Sequence, residues 1–194
     1  MTVNSQTIEG PWRFGIVLDW HTVDSQIVGQ NEYGHPVFDT TRTEVGELLY
    51  QFKYRQSRNA LSKLLSLATA RLASAKGKFD LVLPVPPSNP TRTVTQQIAA
   101  GIASGIGAAT SSTALTKVRA TDELKSVTDI ERRKELLSGV FAADFRQIQG
   151  KRVLLVDDLF RSGATLAAAT EAVYAQGRAQ AVYAFAVTRT RVHR

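Results

Sequence analysis

Cysteine is absent from this sequence of 194 residues, so disulfide bonds and thiolate metal sites are excluded. The three histidines are scattered and lack the spacing of a metal-binding motif. No apolar run approaches the length of about eighteen residues that a membrane-spanning helix needs. The first residues contain neither the basic segment nor the apolar core of an export signal. We therefore expect a cytoplasmic protein without a membrane partner.

Two common nucleotide-binding motifs are also missing. No Gly-Lys-Ser/Thr triplet occurs, and no Gly-x-Gly-x-x-Gly follows a strand-like run. Hydrophobic residues make up 43% of the chain, which is enough for one domain with a substantial core. Residues 1–50 hold two basic and seven acidic side chains, whereas residues 51–194 hold twenty-two and ten. The basic part should attract polyanions, either phosphorylated small molecules or nucleic acid.

Hydrophobic periodicity predicts strands alternating with helices, which is typical of an α/β fold with a parallel sheet between helices. The predicted strands cover residues 13–20, 36–40, 79–85, 114–118, 140–143, 153–156 and 181–188. The predicted helices follow a cap at Thr43 and cover residues 60–75, 91–106 and 165–176. The first two strands should pair as a hairpin. Residues 1–45 then form an N-terminal extension or hood, and residues 46–194 form the main part of one compact domain.

The most informative segment is VLLVDDLFRSGATL at residues 153–166. Four apolar residues predict a strand buried on both faces, and two carboxylates end it. A loop of small residues then opens an alanine-rich helix. Its backbone N–H groups, at a helix N-terminus, suit a phosphate, and Gly163 allows a close approach. Because Asp157 and Asp158 repel phosphate, we expect them to accept hydrogen bonds from sugar hydroxyls.

This segment resembles the phosphoribosyl-pyrophosphate (PRPP) motif of type I phosphoribosyltransferases. The resemblance implies a set of PRPP-binding residues, namely Asp157, Asp158, Arg161, Ser162, Gly163, Ala164 and Thr165. Arg161 stands where several purine-using members carry an aspartate base, and a guanidinium cannot accept a proton. Base-assisted purine transfer is therefore disfavoured. Arg161 either clamps the 5′-phosphate or lies in solvent as a hydrated charge.

A second loop, LPVPPSNPTRTVTQ at residues 83–96, lies between a predicted strand and a predicted helix. Ligands of open α/β sheets bind at the carboxyl ends of strands, so this loop should lie beside residues 157–165 if the two strands are neighbours. The residues expected to hold a pyrophosphate are Val85, Pro86, Ser88 and Arg92. A proline turn that merely precedes a helix is the alternative interpretation.

Together with segments 49–55 and 131–141, these two loops resemble the ComF-like phosphoribosyltransferases in the same order along the chain. The chain departs from that family in lacking the cysteine-rich zinc module and in carrying Arg161 and Ser162 where a Thr-Thr pair is usual. The resemblance implies a type I phosphoribosyltransferase fold. It also implies a lid at residues 117–135 that brings Lys125 and Arg132 to the pyrophosphate.

These features predict an enzyme that transfers a 5-phosphoribosyl group from PRPP to an amine or nitrogenous base and releases pyrophosphate. By the resemblance, Asp157, Asp158, Lys125 and Arg132 are the catalytic residues. Mg²⁺ is expected on PRPP oxygens and water rather than on protein ligands. The alternative is a non-catalytic protein of the same fold that senses PRPP or nucleotides, or binds single-stranded nucleic acid. The apolar final strand permits a homodimer, and the acceptor is not readable from the sequence.

Overall fold

The computed structural model describes residues 3–89, 91–119 and 136–190. The strands are β1 (Gln6–Thr7), β2 (Phe14–Trp20), β3 (Thr22–Gln30), β4 (Pro36–Arg42), β5 (Leu81–Pro84), β6 (Ala109–Thr110), β7 (Leu115–Lys117), β8 (Phe141–Ala143), β9 (Arg152–Phe160) and β10 (Ala181–Arg189). The helices are α1 (Glu44–Arg55), α2 (Arg58–Arg71), α3 (Val94–Ile106), α4 (Phe145–Ile148) and α5 (Ala164–Ala175), and a 3₁₀ turn covers Ala73–Ala75. None of these helices is long and apolar enough to cross a membrane.

A central six-stranded sheet has the order β1-β2-β10-β9-β5-β6 in the described residues. Strand β1 is antiparallel to β2, and the other neighbours are parallel. The side chains of β9 alternate between two cores. Val153 and Leu155 pack in the core that includes α5, whereas Leu154 and Val156 pack in the core that includes α1, α2 and α3. The expected α/β sheet with helices on both faces is thus confirmed.

The predicted hairpin between residues 13–20 and 36–40 is wrong. Strand β2 pairs instead with β10 inside the central sheet, because its buried residues Ile16, Val17 and Leu18 need neighbours on both faces. The small N-terminal hairpin is formed by β3 and β4. The residues of β3 are mostly polar, and for that reason the sequence predicted a loop there. The domain boundary at residue 45 stays a prediction.

The last strand, β10, lies between β2 and β9 and is largely buried. Its apolar character is therefore explained by its place within the sheet, and it provides no reason to expect a homodimer. Helix α1 begins at the predicted cap. The Thr43 hydroxyl accepts a hydrogen bond from the Gly46 N–H at 2.9 Å and donates one to the Trp20 carbonyl at 2.6 Å. This second bond ties the start of α1 to the end of β2.

Candidate functional site

Both sequence motifs lie at the carboxyl ends of neighbouring strands. The acidic pair lies within β9, which runs to Phe160 instead of ending before Asp157 as the sequence predicts. Strands β5 and β9 are parallel, with Pro84 opposite Val156, and the Val85 N–H donates to the Val156 carbonyl at 2.8 Å. The loop after β5 therefore lies beside the end of β9, as the sequence predicts for adjacent strands. All described peptide bonds are trans, including the one before Pro86.

A cavity of about 610 Å³ opens between these loops. Its wall combines the acidic pair, the proline-rich loop, the start of α3 and one residue of α1. The lining residues are Lys53, Val85, Pro86, Pro87, Ser88, Asn89, Arg92, Val94, Thr95, Asp157, Asp158, Leu159 and Thr165. The cavity is of the size that ligand pockets usually have.

A second, smaller cavity of about 50 Å³ lies directly beside the first, and Asp157, Leu159 and Thr165 line both. Its wall is the loop from Phe160 to the first turn of α5, which includes the exposed Arg161. Gly163 is the residue before the helix and has a left-handed φ of 79°. The first backbone N–H groups of α5 have no partner within the helix, so this concave loop has the geometry of an anion site.

The position of Gly163 is crowded as well as left-handed. A Cβ there would lie 2.9 Å from the Phe160 ring, which itself packs edge-on against Trp12. The Ala164 N–H donates weakly to the Ser162 hydroxyl at 3.5 Å. The loop is thus shaped by contacts with the core beneath it as well as by its own small residues.

The two carboxyls of the acidic pair have different surroundings. Asp157 Oδ1 accepts a hydrogen bond from the Asp158 N–H at 2.8 Å. Burial raises the pKa of the Asp157 carboxyl to about 8, and the neighbouring Asp158 charge adds to the increase. Asp158 instead forms an ion pair with Lys53, with 2.5 Å between Nζ and Oδ2. The two carboxyls therefore differ, since Asp157 has a raised pKa and Asp158 is paired with Lys53.

Lys53 lines the cavity, but it was not among the site residues predicted individually from the sequence. It belongs to segment 49–55, which contributed to the family resemblance, but its partner lies 105 residues away. His21 also lies near this ion pair, and its Nδ1 is 3.1 Å from the Thr188 hydroxyl. Burial lowers the pKa of the His21 imidazole, and the charges of Arg42 and Lys53 lower it further. His21 is therefore neutral at neutral pH.

The loop after β5 provides a mixed surface. Val85 is buried and its N–H is used in the sheet, whereas Ser88 and Arg92 are exposed. The Arg92 guanidinium lies 6.0 Å from the centre of the Tyr54 ring. Lys117 Nζ is 3.5 Å from the Ser88 hydroxyl, which brings the start of the predicted lid to this loop. The two cations predicted to act from the lid, Lys125 and Arg132, lie outside the described residues.

The chain is similar in structure to an adenine phosphoribosyltransferase, with a TM-score of 0.50 and 14% identity over 84% of this chain and 83% of that one. The fold is that of the type I phosphoribosyltransferases. This confirms the predicted fold class. Assignment to the ComF-like family stays a prediction.

Two larger proteins are similar over part of their length. UMP synthase from Leishmania donovani matches 86% of this chain at 15% identity, with a TM-score of 0.44. Glutamine PRPP amidotransferase from B. subtilis matches 80% of it at 21% identity, with a TM-score of 0.49. The chain spans 29% and 34% of the lengths of these two proteins. No protein-family model matches the sequence, and no curated protein matches it significantly.

Proposed function

We propose that this protein binds PRPP and transfers its 5-phosphoribosyl group to an amine or nitrogenous base, with release of pyrophosphate. The observation that carries the proposal is the order of groups along the carboxyl edge of the sheet. A cradle at residues 161–165 suits a phosphate, the adjoining Asp157 and Asp158 suit sugar hydroxyls, and the loop with Ser88 and Arg92 lies across the cavity. A phosphorylated sugar carrying a second charged group matches that order.

The acidic pair has a specific task in this scheme. Its carboxyl oxygens accept hydrogen bonds from the ribose 2′- and 3′-hydroxyls, and the cradle holds the 5′-phosphate through N–H groups and the Ser162 and Thr165 hydroxyls. The ring is thereby fixed at both ends. In the reaction, the bond from C1′ to pyrophosphate oxygen breaks, a bond from acceptor nitrogen to C1′ forms, and the acceptor's proton passes to water.

Arg92 faces the side of the cavity where the leaving pyrophosphate is expected. Its guanidinium suits the charge that grows on that group as the C1′–O bond breaks. Lys125 and Arg132 are proposed to add further positive charge from the lid. Most of the catalytic effect would then come from positioning and from stabilisation of the leaving group.

Magnesium fits this site as a companion of PRPP. The described residues contain no group of three or more His, Cys, Asp or Glu that would hold a metal alone, but the acidic pair offers the hard oxygen atoms that magnesium accepts. When bound to the diphosphate, magnesium neutralises charge and makes it a better leaving group. Magnesium would be held mainly by PRPP oxygens and water, and Asp157 and Asp158 would face its hydration shell.

The test is calorimetric titration of the folded protein with PRPP, with and without Mg²⁺, at two salt concentrations. We expect saturable binding that strengthens with Mg²⁺. Acceptor candidates are then screened by pyrophosphate release. Absence of PRPP binding in a sample shown to be folded would refute the proposal.

Binding of single-stranded nucleic acid is the second candidate, and one surface favours it. The Tyr54 ring is 59% exposed, lies 5.0 Å from the Tyr50 ring, and has the Arg92 guanidinium beside it. Exposed aromatic rings flanked by arginine are suited to stacked bases. A labelled oligonucleotide should then bind with a steep salt dependence and lose affinity in Tyr54→Ala. No binding at low salt would exclude this candidate.

A further inference from the structure

Lys53 lies in the last turns of α1, whose apolar face packs on the sheet. The preceding residue, Phe52, is buried in the core shared by α1 and β9, so the Lys53 side chain begins at the edge of that core. The start of α1 is held by the Thr43 bonds to Gly46 and Trp20. The helix therefore presents Lys53 to the carboxyl edge of the sheet from a fixed backbone.

The Lys53 ammonium meets Asp158 at 2.5 Å, and the two side chains are only 20% and 17% exposed. An ion pair this sheltered is weakly screened by salt, unlike a pair on the surface. Lys53 also lines the large cavity together with both acids. The contact therefore lies within the candidate site.

The acidic pair needs a cation nearby. Two adjacent carboxylates repel each other, and burial increases the cost of their charge. Lys53 lowers the pKa of Asp157, opposing the effects of burial and of Asp158. The His21 imidazole near this ion pair is neutral at neutral pH because its pKa is lowered.

We propose that Lys53 is a positioning residue that orients the Asp158 carboxylate for the hydroxyls of a ribose 5-phosphate group. This inference rests on the proposed function and adds a residue to it. Lys53 acts through Asp158, so it matters for ligands that carry the ribose hydroxyls. It does not contribute to the binding of pyrophosphate alone.

The experiment is a double-mutant cycle measured by calorimetry at one pH and salt concentration. The proteins are the wild type, Lys53→Met, Asp158→Asn and the double variant, and the ligands are PRPP with Mg²⁺, ribose 5-phosphate and inorganic pyrophosphate. We expect Lys53→Met to lose at least about tenfold in affinity for both ribose ligands, since one partner of a sheltered charge pair is removed. Its affinity for pyrophosphate should stay within about twofold, because that ligand has no hydroxyl to position.

The cycle should also be non-additive. If Lys53 acts through Asp158, the double variant binds ribose ligands no more than about twofold more weakly than Asp158→Asn alone. Lys53→Arg, which keeps the charge, should retain most of the affinity and shows whether a loss in the Met variant is electrostatic. Lys63→Met removes an exposed lysine of α2 and should leave every affinity unchanged.

Three results would overturn the inference. They are unchanged ribose-ligand affinity in Lys53→Met, equal losses for pyrophosphate and PRPP, or additive losses in the cycle. In each case the wild type still binds PRPP, so the proposed function survives. Wild-type protein that is folded yet binds no PRPP would refute both. Circular dichroism and thermal melts establish that each variant is folded.

Discussion

Pro84 of β5 lies directly opposite Val156 of β9 in the parallel sheet. Pro84 is followed by the loop after β5, and Val156 is followed by the acidic pair within β9. This one register therefore brings together two segments of the chain that are more than sixty residues apart in the sequence. The acidic pair comes immediately after Val156, and Val85 comes immediately after Pro84. The cavity between them is a direct consequence of strand adjacency.

The acidic pair should be required for PRPP binding. In the variant Asp157→Asn with Asp158→Asn, the charge that Lys53 balances is lost and the hydroxyl acceptors are weakened. We expect affinity to fall at least about a hundredfold, since charge-assisted hydrogen bonds are roughly twice as strong as neutral ones. Calorimetry with PRPP and Mg²⁺ measures the change.

The matched control for this double variant is Asp80→Asn. Asp80 pairs with Arg152 at 2.7 Å at the opposite end of β9, away from the cavity. The Asp80→Asn variant should lose some stability and should keep its full PRPP affinity. Full PRPP affinity in the double variant, with a normal melt, would show that the acidic pair does not bind the ligand.

The folded protein should lose stability as the pH rises through the neutral range, in part because of Asp157. Its carboxyl has a pKa of about 8 when folded and about 3.9 when unfolded, so between these values the folded state binds more protons. The contribution of this proton to the free energy of unfolding is complete below about pH 4 and is lost progressively as the pH approaches 8. Asp157→Asn has no such proton to lose.

Thermal melts of the wild type and Asp157→Asn at pH 5.5 and pH 8.5 measure this difference. We expect the variant to gain at least about 3 °C in Tm relative to the wild type between the two pH values, as about 1 kcal/mol corresponds to 2–4 °C at this size. Other titrating groups cancel in the comparison. Parallel pH dependence of the two proteins would contradict the raised pKa of Asp157.

Gly163→Ala should damage the cradle. The residue has a φ of 79°, and the added Cβ would lie 2.9 Å from the Phe160 ring. We expect a loss of about 1–2 kcal/mol in the free energy of unfolding, from the left-handed backbone alone, and a further loss of affinity for ribose 5-phosphate. Urea unfolding and calorimetry measure the two effects.

Gly77→Ala separates the effect on stability from the effect on ligand affinity. Gly77 has a similar φ of 74°, but a Cβ there would meet nothing within 4 Å, and the residue does not line either cavity of the site. It should lose stability without any change in ligand affinity. If Gly163→Ala behaves in the same way as Gly77→Ala, residues 161–165 are not the phosphate site.

Gly46→Ala should destabilise the protein although alanine favours helices. Helix propensity alone would predict a gain of about 1 kcal/mol for this change in α1. A Cβ at Gly46 would, however, lie 2.0 Å from the backbone oxygen of His21, which cannot move without shifting the end of β2. We expect a net loss of at least about 2 kcal/mol in urea unfolding, in the range of overpacked sites.

The matched change for Gly46 is Gly101→Ala in α3. The added Cβ there would meet the Leu65 side chain at 2.4 Å, and a side chain can rotate away. The loss should therefore be smaller than for Gly46→Ala. Equal stability changes in the two variants would show that the contact with His21 is not the cause.

Residues that act through their immediate neighbours were predicted well. The Thr43 hydroxyl accepts the hydrogen bond of the Gly46 N–H that the predicted cap requires. The end of the motif strand was predicted too early, because β9 runs to Phe160 and includes both Asp157 and Asp158. The hairpin was predicted wrongly because hydrophobic patterning detects strands but does not name their partners. The polar strand β3 pairs with β4 outside the central sheet, and most of its residues are exposed to solvent.

The sequence by itself determined the local features: the buried strand that carries two acids, the cradle loop before a helix, and the excess of basic residues after residue 50. Their physical causes act over a few residues, through periodicity, capping and backbone freedom. Only the tertiary structure decided that β2 joins β10 and that Lys53 meets Asp158 across 105 residues. Such pairings depend on how the strands are ordered and the helices packed, which no local pattern encodes.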